Sequence, residues 1–256
     1  LLVAFASAAN AQSFRIQCPT TTTTHPDGNG IKCQQISGGD GFATMADGTQ
    51  TYLFAFGPLS GMADIVNGLP GTQTPAVFNV NSEAHASDLF IGAPNAGYTF
   101  NGAVGLVPDP EAGGALTGHV DPRPIMDVGT LNGSSPAPLM AIDEDDEFFL
   151  TLTNVGQVMR PDLFEEHTVH FHGYPNASAF YDGVPDASVA ISIGGSFTYY
   201  YLAPEAGTYF WHCHITPPEH LQMGMIGQIY VRPRQNRVPV NGNLRNALQA
   251  ANILSA

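Results

Sequence analysis

The sequence predicts an all-β sandwich with one long insertion and a short C-terminal helix. Three observations carry that expectation. The 256 residues include 28 Gly and 20 Pro, a load of turn formers that long helices do not tolerate. Apolar residues come in short runs, separated by turn residues at the spacing of sandwich strands. Only 12% of residues are charged while 43% are hydrophobic, which excludes a disordered chain and supplies a sizeable core.

Residues 1–11, LLVAFASAANA, read as the end of an export signal, apolar and then closing on Ala9-Asn10-Ala11. A secreted or periplasmic location follows. Residues 12–34 form a polar leader containing the run Thr20 to Thr24, expected to be exposed. Cys18 and Cys33 flank its loop and could form a disulfide. Residues 35–235 read as a single domain. Within it, 41–56, ending TQTYLFAF, reads as a strand. Residues 57–128, rich in Gly, Pro, Asn and Ala, read as one long insertion, with a small second domain as the alternative.

After 129 the strand-like runs are LNGSSPAPLMAI, EFFLTLTN, HTVHFHG, SVAISI, SFTYYYLA, GTYFWHCH and MIGQIYVR. The acidic run Asp143 to Glu147 reads as a solvated turn, since five adjacent carboxylates cannot all converge on a metal. In the tail, 236–256, Leu244, Leu248 and Ala251 fall at helical spacing and predict a short docking helix. No later apolar stretch is long enough for a membrane span. The net charge of −14, with one Lys (Lys32) and seven scattered Arg, excludes nucleic acid and anionic membranes as partners.

Six of the nine His lie in two segments. The first is His167-Thr168-Val169-His170-Phe171-His172-Gly173. The second is Trp211-His212-Cys213-His214, followed by His220 and Met225. Side chains alternate along a strand, so His170 shares a face with His172, and His212 with His214, while Cys213 points the other way. On the Cys213 side, His167, His220 and Met225 complete a set of two imidazoles, a thiolate and a thioether. That set defines a blue-copper electron-transfer site. On the opposite side, four imidazoles without sulfur suit copper that binds oxygen.

These motifs resemble the C-terminal copper motifs of multicopper oxidases, the laccase-like family. The stretch YDGVPDASVAISIGGSFTYYYLAPEAGTYFWHCH is also similar to that family, and the likeness covers about 130–232, with a weaker region near 36–56. The resemblance implies a cupredoxin-like Greek-key sandwich. It implies that His167, Cys213 and His220 bind a type 1 copper with Met225 axial. His170 becomes a type 2 ligand, and His172, His212 and His214 become type 3 ligands. Electrons would pass from type 1 copper through Cys213 into His212 and His214. Asp182, in YDGVP, matches an acidic residue that assists proton delivery in the family, and it reads equally as a turn former. The implied activity is one-electron oxidation of a small-molecule or metal-ion donor coupled to reduction of O₂ to water.

Two departures matter. Cys213 to His220 spans seven positions, two more than the common laccase loop, and Thr216-Pro217-Pro218-Glu219 holds the addition. HLQMGM then restores the pattern, which selects Met225 over Met223 as axial. Second, the family's three-copper cluster uses eight His, and this sequence offers one set of four. His25, His85 and His119 lack the His-x-His spacing. A homo-oligomer, dimer or trimer, is therefore expected, with the type 2/type 3 cluster shared between chains. A copper nitrite reductase-like enzyme with an interfacial type 2 copper is the alternative. Such enzymes are similar in fold and loop length but typically lack the second His after Cys. A blue-copper electron-transfer protein would leave His170, His172, His212 and His214 without purpose.

Overall fold

The computed structural model describes residues 15–80, 101–173, 178–239, 241–243 and 245–247. The export signal at 1–11 and the tail residues Leu244, Leu248 and Ala251 lie outside them. Eight strands carry the fold: β1 (Ile31–Thr44), β2 (Gln50–Pro58), β3 (Met140–Asp143), β4 (Glu147–Gly156), β5 (His170–Phe171), β6 (Ser196–Leu202), β7 (Gly207–His212) and β8 (Ile226–Arg232). The helices are short: α1 (Met62–Val66), α2 (Pro75–Phe78), α3 (Pro122–Gly129) and α4 (Pro217–Met223).

The strands form two four-stranded sheets, ordered β2-β1-β4-β6 and β3-β8-β7-β5. β1 runs parallel to β4 and β3 parallel to β8, and the other pairs are antiparallel. Alternate residues turn inward, as a period of two requires. Ile36, Phe54, Phe56, Leu150, Leu152 and Tyr199 of one sheet thus share a core with Phe171, Trp211, Ile229 and Val231 of the other. This is the all-β, cupredoxin-like sandwich that the sequence predicts.

Several local expectations change. The single strand expected over 41–56 is a hairpin. β1 begins earlier, at Ile31, inside the expected leader, and the chain reverses at Asp47-Gly48, where Gly48 takes a φ of 86°. Asp-Gly between apolar runs is a hairpin signal. SVAISI is not a strand: Ile191 alone makes a bridge, to His167. Only Met140 to Ile142 of LNGSSPAPLMAI, within β3, and His170–Phe171 of HTVHFHG are strand.

The acidic run is not a solvated turn. Arg232 pairs with Asp143, Arg234 with Glu144 and Asp145, and Arg237 with Asp145. Glu147 is buried and accepts hydrogen bonds from Thr22 and Tyr200, with His25 Nδ1 at 2.9 Å. Burial works against its charge, yet these three bonds outweigh it and hold the carboxyl below its usual range.

The leader and the insertion build a second core on the outer face of the β1/β4 sheet. Ile16, Cys18, Leu59, Phe78, Leu106, Val120 and Ile125 pack there with Ile31, Cys33 and Val155. So the leader is anchored as well as polar, although Thr20, Thr21, Thr23 and Thr24 remain exposed. A disulfide joins Cys18 to Cys33. Cross-linking over 15 positions removes unfolded-state freedom worth about 3 kcal/mol on the chain-entropy reckoning. Reducing it is expected to lower the unfolding midpoint and expose leader amides to hydrogen exchange. Cys213, buried across the sandwich, should stay unmodified by an alkylating reagent under the same conditions. Alkylation of Cys213 before global unfolding would contradict this picture.

Candidate metal centres

β5 and β7 create two sites by one rule. They pair antiparallel with His170 opposite His212 and Phe171 opposite Trp211. The pairing extends outward through the bond from His172 N–H to the Phe210 carbonyl, 2.8 Å. Because side chains alternate, His170, His172, His212 and His214 fall on one face. Val169, Phe171, Trp211 and Cys213 fall on the other and enter the sandwich core.

The inner site contains His167, Cys213 and His220, all buried, with their donor atoms within 4.8 Å of one another. His220 Nδ1 lies 3.2 Å from Cys213 Sγ, and His167 Nδ1 lies 4.0 Å from it. The Thr168 amide donates to Sγ at 3.4 Å. Met225 is buried beside this group, and the Cys213 amide donates to the Met225 carbonyl at 3.1 Å. Met223 is half-buried.

The long loop after Cys213 runs into helix α4, Pro217–Met223, which carries His220. Pro217 and Pro218 occupy its first positions, where no amide is needed, and Gly224 ends it with a φ of 117°. The Gly224 and Met225 amides both donate to the His220 carbonyl. The helix therefore delivers His220 and Met225 as one unit.

Electrostatics suit a cation here. Burial pushes the Cys213 thiol up to about 11 and the His167 imidazole down to about 3. Neither charged form is stable alone in this dry chamber. A metal ion supplies the positive charge that a thiolate needs and binds neutral imidazoles. His167 Nε2 and His220 Nε2 are buried without hydrogen-bond partners, although Glu165 lies 3.5 Å from the latter.

The outer site gathers His170, His172 and His212, again with donor atoms within 4.8 Å. His172 Nε2 and His212 Nε2 approach to 2.8 Å. His214 packs its ring against His170 and His212, with centroids 5.0 and 5.7 Å away. The His212 Nδ1 lies 2.7 Å from the Cys213 carbonyl, which orients Nε2 outward. Burial, and then the neighbouring imidazoles, lower the pKa of His212 against that bond. Converging imidazole nitrogens of this kind can hold a metal ion. Asp182 sits at the rim: its carbonyl is 2.7 Å from His170 Nδ1, and its carboxylate 3.4 Å away. His25 instead faces Glu147, His119 bridges to Arg15, and His85 lies outside the described residues.

Several positioning residues were not singled out from sequence. Asn154, on β4, donates to the Glu165 and Ile191 carbonyls at 2.8 Å and so ties down the segment leading to His167. Thr168 accepts from the His214 amide at 2.9 Å, joining the two motifs. On β2, Phe54 meets the His220 ring edge-on at 5.6 Å and Phe56 lies 4.9 Å from the Trp211 ring. Gly38 leaves room for His167, since a Cβ there would sit 2.8 Å from its Cδ2. The pairing Gly38 opposite Phe56 is the nearest sequence clue, and it exists only once the hairpin is known.

Fold and donor set together define a cupredoxin-like domain with two faces whose donors could each hold a metal ion. The family model for multicopper oxidase matches residues 117–236, a little under half of the chain. The laccase abr2 of Aspergillus fumigatus is 34% identical over 109 residues, 42% of this chain and 17% of that protein. A copper-containing nitrite reductase of Rhizobium meliloti is 34% identical over 119 residues, 44% of this chain and 28% of that protein. The multicopper oxidase MmcO of Mycobacterium tuberculosis is 31% identical over 114 residues, 41% of this chain and 21% of that protein. The chain thus spans less than a third of the length of these curated relatives.

Gly38→Ala is expected to displace His167, at an overpacking cost of about 1–3 kcal/mol. Metal affinity at the inner site should fall, while the disulfide-linked core keeps its exchange protection. Titration with Cu(II) and hydrogen exchange on one sample check both. Unchanged affinity would show that His167 is not held by this contact.

Proposed function

We propose that this protein is a laccase-like oxidase that takes single electrons from a small-molecule or metal-ion donor and passes them to O₂. The observation that carries this reading is the tripeptide His212-Cys213-His214, whose thiol faces the inner site while both imidazoles face the outer one. In this reading His167, Cys213, His220 and Met225 would hold type 1 copper. His170 would be a type 2 ligand, and His172, His212 and His214 would be type 3 ligands. Copper, when bound, supplies one-electron cycling and oxygen reduction. The protein keeps the inner site dry, sets the imidazoles with Nε2 outward, and joins the two sites by covalent neighbours. Asp182, partly exposed beside His170, is placed to relay protons to the outer site.

The outer site is a half-shell of four imidazoles on an open face, with His172 exposed. Beside it lie exposed Phe210 and a groove of about 290 Å³ lined by Pro136, Thr208, Phe210, Ile226 and Gln228. In our reading a second copy of the chain covers this face and completes the cluster across a shared interface, as a dimer or trimer. Among the described residues no helix is long and apolar enough to cross a membrane. The reading also includes export, to the periplasm or beyond the cell, where copper and the disulfide are compatible.

A nitrite reductase-like reading, with one interfacial type 2 copper, is supported by the rhizobial relative and by the seven-residue loop. His214, packed against His170 and His212, favours the oxidase, because a single type 2 copper does not require it.

Copper-loaded protein is expected to be blue, with a type 3 absorption band, and to consume O₂ with a phenolic or metal-ion donor. Cys213→Ser should abolish the blue colour and the oxygen uptake while circular dichroism is retained. A blue, active variant would sink the thiolate assignment. Activity should also fall on dilution as the chains separate, by mass action. Sedimentation and oxygen uptake on the same samples test this, and full oxygen reduction by a proven monomer would remove the shared cluster.

A further inference from the structure

His167, Cys213, Met225 and His220 are all fully buried, so no donor in solution can touch an inner-site ligand. Electrons must cross some part of the protein first. One continuous line of rings leads from the surface to the site. Phe42, 43% exposed, meets Tyr52 with ring centroids 5.8 Å apart. Tyr52, half-buried, meets Phe54 at 5.8 Å, and Phe54 meets His220 at 5.6 Å. All three contacts are edge-on or nearly so, and the β1/β2 hairpin aligns the three aromatic side chains, with Phe42 opposite Tyr52 and Asp40 opposite Phe54.

Tyr52 is the one member of this line that can be oxidised at moderate potential, provided its proton leaves. Asp40 stands ready for that proton. It is fully buried, its Oδ2 lies 3.5 Å from the Tyr52 hydroxyl, and it accepts from the Met159 amide at 2.7 Å. Among the described residues its Oδ1 has no hydrogen-bond partner. A buried, half-satisfied carboxylate costs stability and calls for a reason.

We propose that Tyr52 is a redox relay that carries electrons from an external donor to the inner site, with Asp40 as its proton acceptor. The proposal rests on the copper reading of that site. One electron leaves the Tyr52 phenol through Phe54 and His220 to the oxidised centre, and the phenolic proton moves to Asp40. An external one-electron donor then returns an electron to the tyrosyl oxygen, and Asp40 returns the proton. Neither residue is consumed. Burial and the adjacent Asp40 push the phenol up to about 12, so Tyr52 starts each cycle protonated and cannot lose an electron without a proton acceptor.

Stopped-flow reduction of the copper-loaded protein by a proton-free donor, hexaammineruthenium(II), tests this. The blue band reports arrival of the electron. Tyr52→Phe keeps the ring line and removes only the hydroxyl. It should slow bleaching about tenfold with the band position and reduction potential unchanged. Wild-type bleaching should slow in D₂O, and Tyr52→Phe should abolish that isotope effect, which a merely structural role would not do. Asp40→Asn should likewise lose the isotope effect. Bleaching by Tyr52→Phe at the wild-type rate, with the same isotope response, overturns the relay and leaves the copper reading standing. No blue band on loading the wild type overturns the copper reading, and the relay with it.

Discussion

The pairing of β5 with β7 is the constraint on which both sites depend. Only two residues of β5 are ladder-bonded, yet they fix His170 against His212 and Phe171 against Trp211. A slip of one residue would exchange the faces, placing imidazoles in the apolar core and Trp211 in solvent. The cost of exposing Trp211 and Phe171, and of burying His170 and His172 unpaired, holds the register. Thr168 reinforces it from the inside, bonded to both the Cys213 sulfur and the His214 amide.

The rest of the sandwich protects that pairing. The β1/β2 hairpin supplies the far wall of the inner site through Gly38, Phe54 and Phe56. β4 holds the segment before His167 through Asn154. α4 presents His220 and Met225 from the remaining side. The contributions come from different strands and from a helix far apart in sequence, so the inner site forms only when the whole fold does. The outer site needs less, since three of its imidazoles come directly from two adjacent strand segments.

Charge is distributed to the same end. In the acidic run, Asp143 to Asp145 pair with arginines of the C-terminal segment, and Glu147 sits inside a bonded cluster. At the inner site burial pushes the Cys213 thiol above its usual range and the His167 imidazole below its own. Such a donor set suits a cation.

The sequence by itself determined the fold class and the two-faced motif. Strand alternation is a local property, so His170 and His172 on one face, and Cys213 opposite His212 and His214, follow from spacing alone. Turn and cap chemistry was also legible in principle: Asp47-Gly48 marks the hairpin, and Pro217-Pro218 with Gly224 marks α4. What only the tertiary structure decided is which distant residues complete the sites. Gly38, Phe54 and Asn154 meet the metal-site segments across more than a hundred positions or from another strand, and no local pattern encodes such contacts. The acidic run shows the same limit. Five adjacent carboxylates look solvated in isolation, yet Glu144, Asp146 and Glu147 are buried, and Asp143 to Asp145 are paired because β3 lies parallel to β8 and brings Arg232 against Asp143, with Arg234 and Arg237 following. Periodicity fixes the direction in which a side chain points, while long-range packing decides what it meets there.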